Sequence, residues 1–273
     1  VTATRHEEAV LASERRWSVR QGNSLALLRE PPDACVDAVI TDPPYSSGGA
    51  FRGDRMRSTS EKYVRTSTIA KRAGFSGDNR DQRGYLAWAA LWSGECLRVA
   101  KPGAPICVFS DWRQLPTTTD ALQAGGWVWR GIVPWDKTEG CRPAMGRFSA
   151  QCEYVVWGSS GPMAAERGVG CLPGLVREFP NPSEKLHMAG KTPATMAPIV
   201  RICAPGGVIL DPFLGGASTA IAALRGGHRI IGFEIDRDIA ETARARLELE
   251  DLGLKPQDDP RQVGMFGTQE GGS

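Results

Sequence analysis

Between residues 192 and 252 two kinds of apolar segment alternate, and this alternation restricts the fold more than any other feature of the chain. GVILDPF (207–213) and HRIIGFE (228–234) are short and rich in branched residues, the pattern of strands covered on both faces. TPATMAPIVRICAPGG (192–207), STAIAALRGG (218–227) and DRDIAETARARLELEDL (236–252) are long enough for helices, and the first two end in glycine pairs that stop a helix. Strand, helix, strand, helix in that order calls for parallel strands joined by crossover helices. The earlier chain supplies more of both kinds. WSVRQG (17–22), VDAVITD (36–42), APICVFS (104–110), WVWRGIVPW (127–135) and QCEYVVWG (151–158) read as strands. NSLALLRE (23–30) reads as a helical turn, and RGYLAWAALWSGECLRVAKPG (83–103) and LPTTTDALQAGG (115–126) as helices. The expected fold class is α/β, with a mostly parallel, Rossmann-like sheet and helices on both faces. Residues 159–192 read as largely irregular, and the polar, glycine-rich 253–273 as a disordered tail.

A chain of 273 residues suits one large α/β domain, or one with a small inserted module. The formal net charge of +2 does not by itself announce a polyanionic partner. Local charge does more: residues 46–80 hold Arg52, Arg55, Arg57, Lys62, Arg65, Lys71, Arg72 and Arg80 against Asp54, Glu61 and Asp78, the composition of a long basic loop. No apolar run is long enough to span a bilayer, and VTATRHEEAV lacks the apolar stretch of a signal peptide. The seven cysteines form no CxxC pair, so neither a metal site nor a disulfide framework is indicated, and a reduced, cytoplasmic setting is expected.

Two strand tips carry candidate chemistry. TDPPYSSGG (41–49) follows the apolar run VDAVI, where two prolines end the strand and leave an acid and an aromatic ring at the carboxyl end of a sheet, the place where ligands bind in α/β folds. The alternative reading is a proline-rich turn with a capping Asp. DPFLGGAST (211–219) joins a strand to a helix. Gly215 and Gly216 permit close backbone approach to a ligand, and the following strand ends in Glu234, placed to accept both hydroxyls of a ribose. The dinucleotide pattern GxGxxG is absent, with Ala217 in a slot where glycine is expected, so a nucleoside ligand without phosphates fits better than a pyrophosphate. S-adenosylmethionine is such a ligand.

TDPPY followed much later by DPFLGGAST resembles the β class of DNA amino-methyltransferases, in which the catalytic motif comes first, a recognition region next and the cofactor motif last. The resemblance runs from about Val19 to Leu249, with further matches at QGNSLALL (21–28), the WDK…RF…E…W run (135–157) and HMAGKTP (187–193). It implies methyl transfer from S-adenosylmethionine to an exocyclic amine of a base in double-stranded DNA, without a metal. Asp42, Pro43, Pro44 and Tyr45 are the implied catalytic segment. Asp42 and the Pro43 carbonyl would accept the amine hydrogens, and Tyr45 would stack on a target base extruded from the duplex. Asn23, Thr41, Asp42, His187, Lys191, Asp211, Phe213, Gly215, Ser218, Thr219 and Glu234 are the implied cofactor residues. The chain departs from the family pattern at Asn23, where Asp is common, at Ala217, where Gly is usual, and at Thr192, which separates Lys191 from Pro193.

Arg52, Arg55, Arg57, Lys137, Arg142 and Arg147 are the candidate DNA contacts, each with surface ion pairing as its plain alternative. The expected organisation is a catalytic half over 1–135, a target-recognition region with its return strand over 136–190, and a cofactor half over 191–252. Asp rather than Ser at the head of DPPY follows the tendency of adenine-N6 enzymes in this family. Cytosine-N4 transfer is the near alternative, and a non-catalytic nucleic-acid binder on the same fold the distant one. A single small reader suggests a homodimer on a palindromic site. The enzyme is expected in a bacterial cytoplasm or nucleoid, or phage-borne, alone or as half of a restriction-modification pair.

Overall fold

The computed structural model describes residues 2–45, 80–139, 141, 145–146, 148–179 and 191–254. Eight strands form one sheet: β1 (Trp17–Gln21), β2 (Ala38–Thr41), β3 (Pro105–Ser110), β4 (Val128–Asp136), β5 (Cys152–Ser159), β6 (Val176–Arg177), β7 (Val208–Asp211) and β8 (Arg229–Glu234). Their order across the sheet is β1-β8-β7-β2-β3-β5-β4-β6. The run from β1 to β3 is parallel throughout, whereas β5 runs antiparallel to both β3 and β4. The helices are α1 (Thr2–Leu11), α2 (Ser24–Leu27), α3 (Gln82–Val99), α4 (Leu115–Ala124), α5 (Pro193–Val200), α6 (Ser218–Arg225) and α7 (Arg237–Asp251). None among the described residues is long and apolar enough to cross a membrane.

The expected parallel α/β sheet is what forms, and the reason is visible strand by strand. Ala38, Val39, Ile40 and Thr41 of β2 are all buried, as are all six residues of β3 and all four of β7. Such strands lose no solvated face when helices cover them, which is the condition for a central parallel strand. The strand order reverses direction of growth between β7 and β2. Chain connections leave that point in opposite senses, and a crevice opens beyond the carboxyl ends of the two strands. Both candidate motifs, DPPY after β2 and DPFLGG after β7, start at this crevice.

Three features were not evident from the residues. Helix α1 forms from the polar TATRHEEAVL because Val10 is fully buried and Arg229 donates to the Val10 and Leu11 carbonyls at 2.7 and 3.2 Å. Its Glu7 is buried against Arg20 at 3.1 Å. β5, expected as a return strand, lies inside the sheet between β3 and β4. The tryptophans divide: Trp92, Trp127 and Trp135 are core, while Trp112 and Trp129 are exposed.

The β5–β4 pairing depends on a glycine. A Cβ at Gly158 would stand 2.6 Å from the Val128 carbonyl oxygen, beside the register shift between Trp129 and Gly131. Backbone cannot move aside as a side-chain tip can. Gly158→Ala is therefore expected to destabilise the protein by about 1–3 kcal/mol, measured as a lowered denaturation midpoint at unchanged slope in urea.

Candidate active site

The part of the site around DPFLGG is built by three strand ends. At the end of β7, Asp211 is buried and accepts from the Thr41 hydroxyl at 2.6 Å and from the Phe213 backbone N–H at 3.1 Å. Burial pushes its carboxyl up to about 6, against the lowering effect of hydrogen bonds from Thr41, Thr219 and the backbone. Asp211 thus shapes the loop and ties it to the residue preceding Asp42. Phe213 packs on Trp88 and Trp92, with ring centroids 5.1 and 5.3 Å away, and the Arg80 guanidinium lies 4.1 Å from the Trp88 ring centroid. Gly215 has a φ of +53°, and a Cβ there would meet nothing within 4 Å. Glycine is needed there for the backbone, and the space beside it is open to a ligand. Ala217 also takes a left-handed φ of +67°, at the position capping α6. The slot the sequence marks for glycine does have that conformation, adopted by alanine at some cost.

Glu234 ends β8 and is 9% exposed. One of its oxygens accepts from the Gly215 N–H and the other from the Asp236 N–H, both at 2.9 Å. Burial raises the carboxyl and these amides oppose the rise. A carboxylate has about four acceptor sites, so two remain for vicinal hydroxyls. The third wall is the turn after β1. Gly22 N–H donates to the Glu234 carbonyl at 2.8 Å, and the Ser24 hydroxyl bonds the Pro212 carbonyl. Asn23 Oδ1 caps α2 by accepting from Leu25 N–H at 3.0 Å, so a contact to a ligand falls to its Nδ2.

The part of the site around DPPY is centred on a lysine. Lys191 Nζ lies 3.0 Å from Asp42 Oδ2, 2.9 Å from Glu153 Oε2 and 3.2 Å from the Tyr45 hydroxyl. The sequence reading grouped Lys191 with the cofactor. The structure turns its ammonium toward the Asp42 carboxylate, while its backbone carbonyl accepts from the Ser218 hydroxyl at 2.6 Å in the glycine-rich loop. The cause is local. Thr192, the residue that breaks the family's Lys-Pro pair, is the N-cap of α5 and accepts from Thr195 N–H at 3.2 Å, with Pro193 in the first turn. Lys191 is thereby held just outside the helix and pointed inward. Burial works against its charge, but Asp42 and Glu153 outweigh burial and hold the ammonium protonated, above its ordinary range.

Tyr45 is buried and donates to Glu153 Oε2 at 3.0 Å. Burial first, then the Glu153 and Asp42 carboxylates, hold its hydroxyl protonated. Lys137 Nζ faces Glu153 Oε1 at 3.2 Å, so this candidate DNA contact has a partner inside the site. Arg52, Arg55, Arg57, Arg142, Arg147 and His187 lie outside the described residues. Glu153 is the site residue that the sequence reading left unassigned. A signal existed: an acid in the otherwise apolar QCEYVVWG, on a strand bound for the sheet interior, requires a partner.

Burial alone would raise the Glu153 carboxyl, yet the Lys191 and Lys137 ammoniums and the hydrogen bonds of Lys191 and Tyr45 bring it down to about 2. A depressed folded-state value stabilises the fold above the ordinary value of about 4.5, and that stabilisation is lost as pH falls through about 2. Stability is expected to drop in this window, and Glu153→Gln to flatten that part of the drop, as read by denaturant unfolding at stepped pH.

Comparison with known proteins agrees with this geometry. A family model described as DNA methylase, covering N6 and N4 enzymes, matches residues 36–166 and 173–245. The chain belongs to the N6/N4 DNA methylase family. YubD of Escherichia coli (strain K12) is 26% identical to this methylase over 228 residues, covering 83% of this chain and 88% of YubD. Among solved structures, the M1.HpyAVI–SAM complex superposes with a TM-score of 0.61 at 20% identity, covering 85% of this chain and all of that one. The PvuII DNA methyltransferase, described as cytosine-N4-specific, gives 0.65 at 16% identity, covering 92% and 91%. At such identities the two structures attest the fold of this methylase.

Proposed function

We propose that this DNA methyltransferase uses S-adenosylmethionine to methylate the N6 amine of an adenine swung out of double-stranded DNA. The observation that carries the reading is the linkage between the two motifs. Thr41, adjoining Asp42, bonds Asp211 at 2.6 Å, and Lys191 bridges Asp42 to the Ser218 hydroxyl. The acceptor and the cofactor cradle are thus fixed to each other at one crevice. The residues fit the cofactor: Glu234 suits a ribose, the Asn23 Nδ2 an adenine edge, and the open space at Gly215 a chain that must pass close to backbone. When bound, S-adenosylmethionine supplies an electrophilic methyl on a positively charged sulfur.

The chain's own residues do the rest. An exocyclic amine is a poor nucleophile because its lone pair is delocalised into the ring. Asp42 and the Pro43 carbonyl accept its two hydrogens, which favours a tetrahedral nitrogen with that pair freed. The freed pair would attack the methyl that the bound cofactor supplies, with the sulfur as leaving group, and one amine proton would leave by way of Asp42 toward solvent. Prolines 43 and 44 stiffen the acceptors, and preorganised acceptors of this kind contribute about 3 kcal/mol each. Tyr45 offers its ring to the base. Asp at the head of the motif supports adenine, and the same acceptor pair suits the N4 amine of cytosine.

Incubating unmodified DNA with the protein and labelled S-adenosylmethionine, then digesting it to nucleosides, tests the reading. N6-methyldeoxyadenosine is expected. N4-methyldeoxycytidine would transfer the function to the other base, and label on no nucleoside would end it. The small recognition region supports a dimer on a palindrome, which sizing in solution and mapping of the methylated site check together.

A further inference from the structure

Four charged side chains run in a row through the catalytic half: Asp42, Lys191, Glu153 and Lys137, with successive N···O separations of 3.0, 2.9 and 3.2 Å. The charges alternate and sum to zero. Lys191 is the deepest of the four, its side chain 5% exposed, with the ring centroids of Phe109, Tyr45 and Trp135 between 5.2 and 5.6 Å from its ammonium. Asp111 after β3, Tyr85 of α3 and Asp211 at the end of β7 are the other titratable groups coupled to this cluster among the described residues.

A cation at this place poses a chemical difficulty. Methyl transfer builds positive charge on the amine nitrogen, and the negative charge on Asp42 is what favours it. A full ammonium 3.0 Å from that carboxylate cancels much of its effect in a poorly solvated site. Glu153 pairs with the same ammonium at 2.9 Å and also receives the Tyr45 hydroxyl at 3.0 Å. Resting on the methyltransferase reading above, we infer that Glu153 and Lys191 are positioning residues for the reaction. Lys191 fixes the rotation of the Asp42 carboxylate, and Glu153 neutralises Lys191 so that Asp42 keeps its strength as an acceptor, while anchoring the Tyr45 ring. Lys137 in turn compensates Glu153 from the outer end of the row.

The charge-balance role makes a claim that simple packing does not. Removing either member alone unbalances the site, and removing both restores the balance. Glu153→Gln, Lys191→Met and the double variant are compared in the full-length protein with S-adenosylmethionine and unmodified duplex DNA. Single-turnover methyl transfer is followed beside equilibrium cofactor binding, with enzyme in excess. Each single variant is expected to lose about tenfold or more in rate while its cofactor dissociation constant stays within about threefold, and the double variant to run faster than either single. Glu153→Gln preserves shape and one acceptor oxygen, so it reports even if Lys191→Met folds poorly. Wild-type rate in Glu153→Gln, or a double variant whose loss is the product of the two single losses, overturns the inference. Wild-type protein that labels no DNA overturns the underlying function instead.

Discussion

Asp42→Ala is expected to lower methyl transfer by about 10²–10³-fold, the range for removing one preorganised electrostatic contact from a reacting centre. The carboxylate is fixed from three directions: Pro43 and Pro44 follow it, Thr41 before it is bonded to Asp211, and Lys191 holds its Oδ2. In the variant the Lys191 charge keeps Glu153 at 2.9 Å. Binding of DNA and of S-adenosylmethionine should therefore change by no more than a few fold, and the loss should appear in the chemical step. Asp42→Asn, which keeps one acceptor oxygen, is expected to fall between. Single-turnover rates beside binding titrations give the measurement. Near-normal turnover in Asp42→Ala would show that another group frees the amine lone pair.

Glu234→Ala is the second large effect, and it acts on the cofactor. The carboxylate has two tasks in the structure. It presents acceptors to a ribose, and it pins the glycine-rich loop by taking the Gly215 N–H at 2.9 Å. Loss of hydrogen bonds to a charged group is expected to weaken cofactor binding by about 1–3 kcal/mol. The loop does not collapse in the variant, because Leu214 N–H still bonds the Phe233 carbonyl at 2.8 Å and Ser218 still bonds the Lys191 carbonyl. The result should be a raised dissociation constant for S-adenosylmethionine with methyl transfer recovered at saturating cofactor. An unchanged dissociation constant would place the ribose elsewhere.

Much of this was readable before any coordinates, and particular residues show why. VDAVIT and GVILD could be recognised as central strands because a strand buried on both faces must be apolar throughout, and a run of branched residues says so directly. DPPY and DPFLGG could each be placed at a strand tip because proline and glycine carry backbone instructions that do not depend on distant residues, and they were paired through the family resemblance of their order. Glu234 was legible for the same reason, as an acid at the end of an apolar strand. Helix α1 was not: its residues are mostly polar, and its stability comes from Arg229 and the sheet edge beneath it. The antiparallel insertion of β5 was not legible either, since strand direction is a property of the partner, not of the strand.

The sequence by itself determined the parallel α/β architecture, the two motifs and the class of chemistry. The first two are written in local patterns of apolar, proline, glycine and acidic residues, and the class of chemistry follows from the family resemblance that the two motifs carry in their order. Only the tertiary structure decided which charges meet. Lys191 lies 146 residues from Tyr45 in the chain and farther still from Asp42, and Glu153 reaches them from another strand, β5. Ion pairing acts over a few ångströms of space and carries no trace of chain separation, so the charged row behind the acceptor became visible only when the sheet brought its members together.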